Sequence, residues 1–533
     1  MANIQVTHDL SPNNARSESS LAINPGNPLQ MVAGSKKFTN PATYDFILAT
    51  SYSTDAGQTW HDSQALQLLP GWAGISDPAL TWDDAGHVFL LALPFAGGVE
   101  DIVGIAVYKS TDGGQTWNPP TLIHQSAGDD KQWMAADLYG AFPGHIYAAW
   151  DDGANMRFAR SVDHGATWKG LGNDPVGTIL ANDSFAPEIN VAANGNIYIA
   201  WRAGNQMKLL TSIDGGETFL PAVVAASGIT TLDATLPKVD GWPVFPGGTF
   251  RVLTLPTACA GKAKTVAIAW ADTRQGPSRI YYALSHNAGQ SWVTSPSGDP
   301  LVTAQVAGNL QHFHPQLAAN PNGVIGCAFY EFGPKPSAYK IDTLFADSGN
   351  NGASFHDPVV VTDQPWDPAV DAPFSHGDPN VTFIGDYFGL DASSNGFYPL
   401  WTDTRTGIQE LFTDVVAAHV GVAINPKMYE IVEEILFGVT QDGPGLGLVG
   451  GHVVKHGPWD PDGPVYDILF GLACQRLATQ IRDKEGIALQ RSAMNLVARL
   501  AIAEVQRLEG QELAVGEVRA KRSRKMPAFG FHE

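Results

Sequence analysis

The chain has 533 residues, 44% of them hydrophobic, and a formal net charge of −21. Residues 420–533 carry 13 Lys and Arg against 14 Asp and Glu, which leaves a balance of −20 for residues 1–419. A field of this sign repels nucleic acid and anionic lipid, so neither is expected as a partner. No run of 18 apolar residues occurs, and we therefore expect no membrane span.

The first residues and the cysteines bear on the compartment. Met1–Asp9 has neither a basic start nor an apolar stretch, so it does not look like a secretory signal. We expect either a cytoplasmic protein or one exported by a leaderless route. The three cysteines, Cys259, Cys327 and Cys474, are far apart, which excludes a disulfide framework and favours buried hydrophobic residues.

Short β-rich runs separated by Gly and Asn turns occupy most of the chain. One stretch shows the form of a unit, with predicted strands at 187–193, 197–201, 207–212 and 222–225. Such evenly spaced short strands are typical of propeller blades. The first strands of the successive units begin at Leu21, Ala79, Met134, Glu188, Leu236, Gln316 and Phe388.

The seventh unit lacks an obvious outer strand, whereas Ile4–His8 offers a spare strand ahead of the first unit. We predict that Ile4–His8 joins the last unit and closes a ring, which leaves no free sheet edge. The predicted fold is an all-β propeller over residues 1–419, with seven blades favoured and six as the alternative.

One octapeptide, Ser53–Trp60, ends the first of these units. It returns every 51 to 73 residues, as Ser110–Trp117, Ser161–Trp168, Ser212–Phe219, Ser285–Trp292 and Ser348–Phe355. Its Asp or Asn closes a tight turn on its own backbone, and its Gly supplies positive φ. The terminal Trp or Phe is a plug that packs the turn against its neighbour.

The pattern changes near residue 420. Apolar residues at helical spacing predict two or three amphipathic helices over residues 420–510. Helices of this size cannot bury a large core alone, so we expect them to pack on the propeller or to pair with another subunit as a homo-oligomer. Residues 511–533 contain the basic run Arg519–Lys525, for which a flexible tail is expected.

The octapeptide resembles the Asp box, or BNR repeat, of sialidase-like β-propellers. The resemblance implies that the boxes join third and fourth strands on the face opposite the binding site. The functional face then carries the ends of second strands and the loops between blades. Candidate ligand-binding residues on that face are Trp150, Asp151, Arg202, Arg274, His314, Asp386 and Arg405.

The same resemblance implies a catalytic set. Sialidases hold a sugar carboxylate with three arginines and use a tyrosine, activated by a glutamate, as nucleophile. Matching residue types here are Arg202, Arg274 and Arg405 with Tyr387 and Glu331, and Asp77 or Asp130 would be the acid/base. In the alternative interpretation, Arg274 and Arg405 each pair with the aspartate of their own Asp-Thr-Arg sequence. The arginine motif expected near the N-terminus is absent, and Phe250–Leu253 falls mid-chain.

No metal or cofactor is predicted. The pairs His312 and His314, and His452 and His456, have no assured third ligand. Calcium held by Asp151 and Asp152, or by Asp386, stays an alternative, although no EF-hand spacing occurs. No P-loop, Rossmann fingerprint or Gly-x-Ser-x-Gly elbow is present.

Three functions fit these observations. The first is a glycan- or protein-binding and assembly module that uses the face opposite the boxes. The second is an exo-acting glycosidase of sialidase type. The third is another sugar-active propeller enzyme, such as a lyase. The fold does not decide among them, because propellers host all three.

Overall fold

The computed structural model describes residues 2–9, 15–262, 264–335 and 338–418. These residues form seven antiparallel four-stranded sheets, which is the architecture of a seven-bladed propeller. The prediction of seven blades is confirmed, and the six-bladed alternative is wrong. The helices predicted over 420–510 and the tail predicted over 511–533 lie outside the described residues.

Four strands make up each blade, in order from the innermost to the outermost. Blade 1 comprises Arg16–Ile23, Met31–Asn40, Asp45–Ser53 and His61–Asp62. Blade 2 comprises Gly74–Trp82, Val88–Phe95, Ile105–Ser110 and Thr121–His124. Blade 3 comprises Asp129–Ala136, Ile146–Asp152, Asn155–Ser161 and Thr178–Ala181. Blade 4 comprises Phe185–Val191, Ile197–Ala203, Gln206–Ser212 and Val223–Ser227.

The last three blades complete the ring. Blade 5 comprises Thr257–Ala260, Val266–Asp272, Arg279–Ser285 and Asp299–Pro300. Blade 6 comprises Gln311–Ala319, Ile325–Pro334, Tyr339–Ser348 and Val359–Val360. Blade 7 comprises Gly389–Ser393, Gly396–Asp403, Glu410–Thr413 and, from the start of the chain, Ile4–Gln5. A short 3₁₀ helix, Leu171–Asn173, lies between the third and fourth strands of blade 3.

The N-terminal strand closes the ring as predicted. Ile4 and Gln5 pair antiparallel with Thr413 and Phe412, and the Val6 amide donates to the Leu411 carbonyl at 2.8 Å. The Val6 side chain is 2% exposed and packs in a cluster with residues of blades 1 and 7. The last blade therefore takes its outer edge from the opposite end of the chain.

All six octapeptides form the same hydrogen-bonded turn between third and fourth strands. In the first, Asp55 accepts from the Thr59 amide at 2.9 Å and from its hydroxyl at 2.6 Å. Ser53 Oγ accepts from the Gly57 amide at 2.9 Å. In blades 5 and 6, Asn replaces Asp and Ser replaces Thr, and the Asn side-chain amide donates to the Ser hydroxyl instead. Blade 7 has no such turn because its third and fourth strands are not consecutive in the chain.

The innermost strand of blade 5 corrects one prediction. It is Thr257–Ala260, not the run beginning at Leu236. The Leu236 amide instead donates to Leu232 at the end of the short helix Leu232–Thr235. Pro237 has no amide hydrogen for a ladder, and prolines are kept out of inner strands for this reason. Residues 230–256 thus form an insertion ahead of blade 5, with a hairpin of Lys238–Val239 and Trp242–Pro243.

A second insertion precedes blade 7. It contains the hairpin of Phe374–Ser375 and Asp378–Thr382. The two insertions meet, because the Arg251 amide donates to the Thr382 carbonyl at 3.1 Å and the Thr382 amide donates to the Thr249 carbonyl at 2.9 Å. Phe250 also stacks on Phe313 of blade 6, with ring centroids 5.6 Å apart. Blade 6 is therefore covered from above by its neighbours' insertions.

Tryptophans on the second strands fill the spaces between blades. The fully buried members are Trp150, Trp201, Trp270 and Trp401. Cys259 and Cys327 are also buried and unpaired with each other, as predicted, whereas Cys474 lies outside the described residues. In the part of the chain that the structure describes, no helix has the length and apolar character that a bilayer crossing requires.

Ring closure predicts a position-dependent cost for a charge in the first strand. Val6→Asp should lower the free energy of unfolding by about 3 kcal/mol or more, because it buries an unpaired carboxylate. His8→Asp, two residues away and exposed, is the matched control and should change it by about 0.5 kcal/mol or less. Chemical denaturation measures both, and equal effects would mean that the strand is not docked.

Candidate functional site

A β-bulge interrupts the innermost strand of blades 1, 2, 3, 4 and 6. Each bulge contains a non-glycine residue with positive φ, and these residues are Glu18, Asp77, Lys131, Ala186 and His314. A side chain in this conformation costs on the order of 1 kcal/mol, and such strain clusters at functional sites. The bulges therefore mark the top of the ring axis as the place to look.

An axial pocket of about 620 Å³ opens at this level. The first strand of each blade starts at the face that carries this pocket, and the third strand runs in the same direction as the first. The Asp boxes follow the third strands, so they lie at the opposite face of the ring. The pocket's charged and aromatic lining comprises Glu18, Lys36, Tyr44, Phe46, Asp77, Glu100, Asp129, Asp130, Lys131, Asp151, Phe185, Arg202, Asp233, Trp242, Arg251, His376, Asp386 and Tyr387.

The register of the bulges explains which second-strand residues reach the pocket. In four blades, the last first-strand residue before the bulge pairs with a second-strand residue that lines the pocket wall. These pairs are Ser17 with Lys36, Ser76 with Leu93, Asp130 with Asp151, and Phe185 with Arg202. The same structural position thus supplies a cation, an apolar group or a carboxyl group in different blades.

Lys36, on the second strand of blade 1, is a buried cation that contacts carboxyl groups of blades 1 and 2. Its ammonium contacts the Glu18 carboxyl and lies 3.0 Å from Asp77 Oδ1. It also lies over the Phe46 and Phe383 rings, 4.7 and 5.2 Å from their centroids. Burial lowers the pKa of Lys36, but the Asp77 and Glu18 carboxyls outweigh that effect and raise it well above its usual value.

The three carboxyl groups beside Lys36 have widely different pKa values. Burial raises the pKa of Glu18 to about 8 against the opposing Lys36 charge. Burial also pushes the pKa of Asp77 upward, but Lys36 outweighs it and holds that pKa at about 2. Burial and the Asp77 charge raise the pKa of Asp130 to about 6. At neutral pH, Glu18 therefore keeps a proton while Asp77 is ionised.

Arg251, from the insertion before blade 5, forms the second ion pair of the pocket. Its Nε and Nη2 donate to the two oxygens of Asp386 at 3.2 and 2.7 Å. Its guanidinium lies over the Trp242 ring, 4.5 Å from the centroid. Burial raises the pKa of Asp386, but Arg251 outweighs it and holds that pKa below its usual value. This arginine is thus already neutralised.

Tyr387 lies between the charged groups. Its ring is 4.1 Å from the Lys131 ammonium and packs edge-on against Trp133. Burial, with the Asp77 and Glu18 charges, raises the pKa of its phenol well above the usual value. A neutral phenol donates a hydrogen bond, and nucleophilic attack would require a base to remove its proton.

The structure brings together six of the residues predicted for the site. Asp77, Asp130, Asp151, Arg202, Asp386 and Tyr387 all line the pocket. Arg202 pairs with Asp233 at 3.1 Å. Trp150 is fully buried beneath the wall and donates to Asp129 at 3.0 Å. His314 is 4% exposed, because the insertion carrying Phe250 covers blade 6.

The other predicted residues pair locally. Arg274 contacts its own Asp272 and donates to the Ser297 carbonyl at 2.7 Å. Arg405 donates to its own Asp403 at 2.6 Å and also contacts Asp363. The three arginines therefore do not converge, and Arg274 and Arg405 adopt the alternative pairing with their own aspartates.

Glu331 is held away from Tyr387 by partners within blade 6. Its carboxylate lies 3.1 Å from His312 Nε2 and 3.5 Å from the Lys335 ammonium. Burial raises the pKa of Glu331, but the hydrogen bond from His312 and the Lys335 charge lower it further. The carboxyls with the largest influence on Tyr387 are instead Asp77 and Glu18.

Several residues of the pocket, among them Glu18, Lys36, Tyr44 and Trp242, have no signal in the sequence, and Arg251 stands out there only for its mid-chain position. The first two carry no local motif. They would be found by aligning Ser17–Lys36 of blade 1 with the Asp130–Asp151 pair of blade 3, but that register depends on a bulge that no glycine marks.

The carboxylates considered for calcium have protein partners. Asp151 Oδ2 accepts from the Ala186 amide at 2.7 Å, and Asp386 is paired with Arg251. Asp152 accepts from Arg157 at 2.6 Å, although it also groups with His124 and Asp129. Each of these three carboxyl groups thus has a hydrogen bond or an ion pair from the protein itself.

A family model described as BNR/Asp-box repeat matches residues 51–62 and 108–119, which contain the first two octapeptides. The chain is an Asp-box β-propeller. No curated protein matches the sequence of this Asp-box propeller.

Solved structures that are similar to the Asp-box propeller at low sequence identity include the following three. A protein of unknown function from Dyadobacter fermentans is 15% identical, with 65% of this chain and 98% of that chain covered and a TM-score of 0.41. The NanB sialidase from Streptococcus pneumoniae is 12% identical, with coverages of 62% and 67% and a TM-score of 0.40. An α-L-arabinanase from Penicillium chrysogenum is 12% identical, with coverages of 78% and 98% and a TM-score of 0.40.

The Asp151 carboxyl predicts a pH-dependent stability. Burial raises its pKa to about 7, against about 4 in an unfolded chain. The folded state binds the proton more tightly, so the stability that this group contributes is present below pH ~4 and is lost as the pH rises to ~7. As the pH rises from 5 to 8, the free energy of unfolding of the wild type should therefore fall by about 2 kcal/mol more than that of Asp151→Asn.

Asp152→Asn is the matched control for this measurement by chemical denaturation. Burial raises the pKa of Asp152, but hydrogen bonds from Ser126 and Arg157 lower it further. Its contribution is present above pH ~4 and is lost only as the pH falls below that value. Asp152→Asn should then cost the same stability at pH 5 and at pH 8. Parallel pH profiles for Asp151→Asn and the wild type would contradict the assignment.

Proposed function

We propose that the axial pocket binds a carbohydrate, and that the protein acts as a glycan-binding propeller through the face opposite its Asp boxes. The observation that carries this proposal is the lining, which contains both carboxyl groups and aromatic rings. Carboxylates accept hydrogen bonds from sugar hydroxyls, and rings cover the apolar faces of sugars. The pocket volume is within the range of small-molecule sites.

The charges favour a neutral or cationic sugar over a sugar acid. Of the four cations in the lining, Lys36, Arg202 and Arg251 each have a carboxylate partner in the pocket, and the Lys131 ammonium lies over the Tyr387 ring. An anionic ligand would have to compete with those carboxylates, most strongly at Arg251, whose two nitrogens already hold both oxygens of Asp386. The carboxyls in the lining outnumber the cations. A sialidase-type arginine triad therefore receives no support from this geometry.

Hydrolysis of a neutral glycoside is the second candidate. Glycosidases require one carboxyl that holds a proton and one that is ionised. The pKa of Asp130 at about 6 and that of Asp77 at about 2 meet this requirement in one pocket. Asp130 would then protonate the leaving group, and Asp77 would stabilise positive charge on the sugar or activate water. Tyr387, kept neutral, would donate a hydrogen bond.

The assembly part of the sequence-based hypothesis concerns residues 420–533. Oligomerisation through that region stays a proposal. Size measurement by light scattering on the full chain and on residues 1–419 tests it, and equal subunit numbers in the two proteins would overturn it.

Glycan binding predicts a selective loss on changing one acceptor. A neutral oligosaccharide identified on a glycan array should bind Asp130→Ala at least about tenfold more weakly than the wild type by calorimetry, because one hydrogen-bonding carboxyl is removed. Arg274→Gln, on the same face but outside the pocket, should bind like the wild type. If no neutral glycan binds, or if Asp130→Ala binds equally, the proposal is wrong.

Hydrolysis predicts a distinct pH profile. With p-nitrophenyl glycosides of neutral sugars, kcat/KM should decline above pH ~6, because Asp130 loses its proton there. Asp77→Asn or Asp130→Asn should lower kcat/KM by about 10²- to 10⁴-fold, whereas Arg274→Gln should retain it. Turnover that is absent while glycan binding persists would remove hydrolysis and leave the binding function intact.

A further inference from the structure

Two histidines and two aspartates meet on the Asp-box face, at the junction of blades 2 and 3. Asp83, Asp84 and His87 belong to the turn between the first two strands of blade 2, and His164 belongs to the Asp box of blade 3. His87 Nδ1 and His164 Nδ1 lie 2.8 and 2.9 Å from the same atom, Asp83 Oδ2. Asp84 Oδ1 lies 3.7 Å from His164 Nδ1. This cluster is separate from the axial pocket.

His164 is unusual among the six Asp boxes. The residues at the same position of the other boxes are Ala56, Gly113, Gly215, Ala288 and Asn351. His164 has φ of 56°, a left-handed conformation that favours small residues. The Lys109 ammonium donates to its carbonyl at 2.8 Å, and Gly144 packs so closely that a Cβ there would lie 3.0 Å from His164 Nε2. The ring is thus oriented with Nδ1 toward Asp83.

Asp83 is oriented just as firmly. It is 1% exposed, and its Oδ1 accepts from the Ala85 and His87 amides at 3.0 and 2.8 Å. Those bonds leave Oδ2 for the two imidazoles. For both to bond that oxygen in the absence of another cation, each Nδ1 must carry a proton. One divalent cation can replace those two protons.

We propose that Asp83, His87 and His164 bind a divalent transition-metal ion such as Zn²⁺, which would join blades 2 and 3. The three ligand atoms lie within 4.8 Å of one another. Tetrahedral ligands about 2.0–2.1 Å from Zn²⁺ are separated by about 3.3 Å, so the nitrogen–oxygen distances of 2.8 and 2.9 Å would have to lengthen by about 0.5 Å through side-chain rotation.

The ligand types and exposure narrow the choice of ion. Imidazole nitrogens favour Zn²⁺, Ni²⁺ or Cu²⁺ over Ca²⁺ and Mg²⁺, which prefer oxygen. The His87 and His164 side chains are 27% and 39% exposed, so water can reach the site and complete the coordination. Asp84 supplies further negative charge beside His164. A metal that binds only the folded protein stabilises it by mass action.

The test uses the full chain without an affinity tag, first treated with a chelator and then titrated with ZnCl₂ by calorimetry. The wild type should show one site that disappears, or weakens at least about tenfold, in His87→Ala and in His164→Gly. The glycine variant carries the residue found in two other Asp boxes, so the turn is expected to fold. His61→Ala, an exposed histidine of blade 1, should leave the number of sites and the affinity unchanged.

A second readout separates this site from other histidines of the chain. Zn²⁺ should raise the melting temperature of the wild type and of His61→Ala, but not that of His164→Gly. Co²⁺ should give visible absorption bands that His87→Ala lacks. A wild type that binds no Zn²⁺, or variants that bind with the same number of sites and the same affinity, would overturn the proposal.

Discussion

The axial pocket depends on the bulges in the innermost strands. In a regular strand, side chains alternate between the two faces of a sheet, so only every second residue would face a given neighbour. An extra residue breaks that alternation and changes where the following side chains point. Glu18, Asp77 and Lys131 occupy such positions and line the pocket. Their left-handed conformations are unfavourable in isolation, and the packed sheets on either side hold them in place.

The second constraint on the pocket is charge compensation. Lys36 and Arg251 are buried, and a buried cation without a partner is strongly destabilising. Each is matched by an ionised carboxyl from another part of the ring, Lys36 by Asp77 of blade 2 and Arg251 by Asp386. The insertion that carries Arg251 is in turn tied to the hairpin before blade 7. The pocket is therefore built jointly by blades and insertions, and these two cations are already balanced before a ligand arrives.

Sequence repeats predicted the ring well because they carry the hydrogen bonds that define it. Six Asp boxes and one unplugged unit indicated seven blades, and the spare strand at Ile4 indicated the closure. The first strand of blade 5 was misplaced because the apolar residues around Pro237 mimic a strand. The site was only partly predictable. The family resemblance suggested converging arginines, yet in each Asp-Thr-Arg sequence the aspartate two residues away pairs with the guanidinium locally. Glu18 and Lys36 were missed because their importance comes from bulge register, which single residues do not encode.

The pairing of Val6 with Leu411 has a consequence for biosynthesis. The outer strand of blade 7 and its three other strands are made at opposite ends of the translation of residues 1–418. At about 5–20 residues per second, the ribosome needs on the order of a minute or less to cover this distance. Blades 1 to 6 can assemble as they emerge, but the Glu410–Thr413 strand reaches the growing structure last. Until then, the first strand stays unmatched, and the nascent arc has two open ends at which another chain could dock.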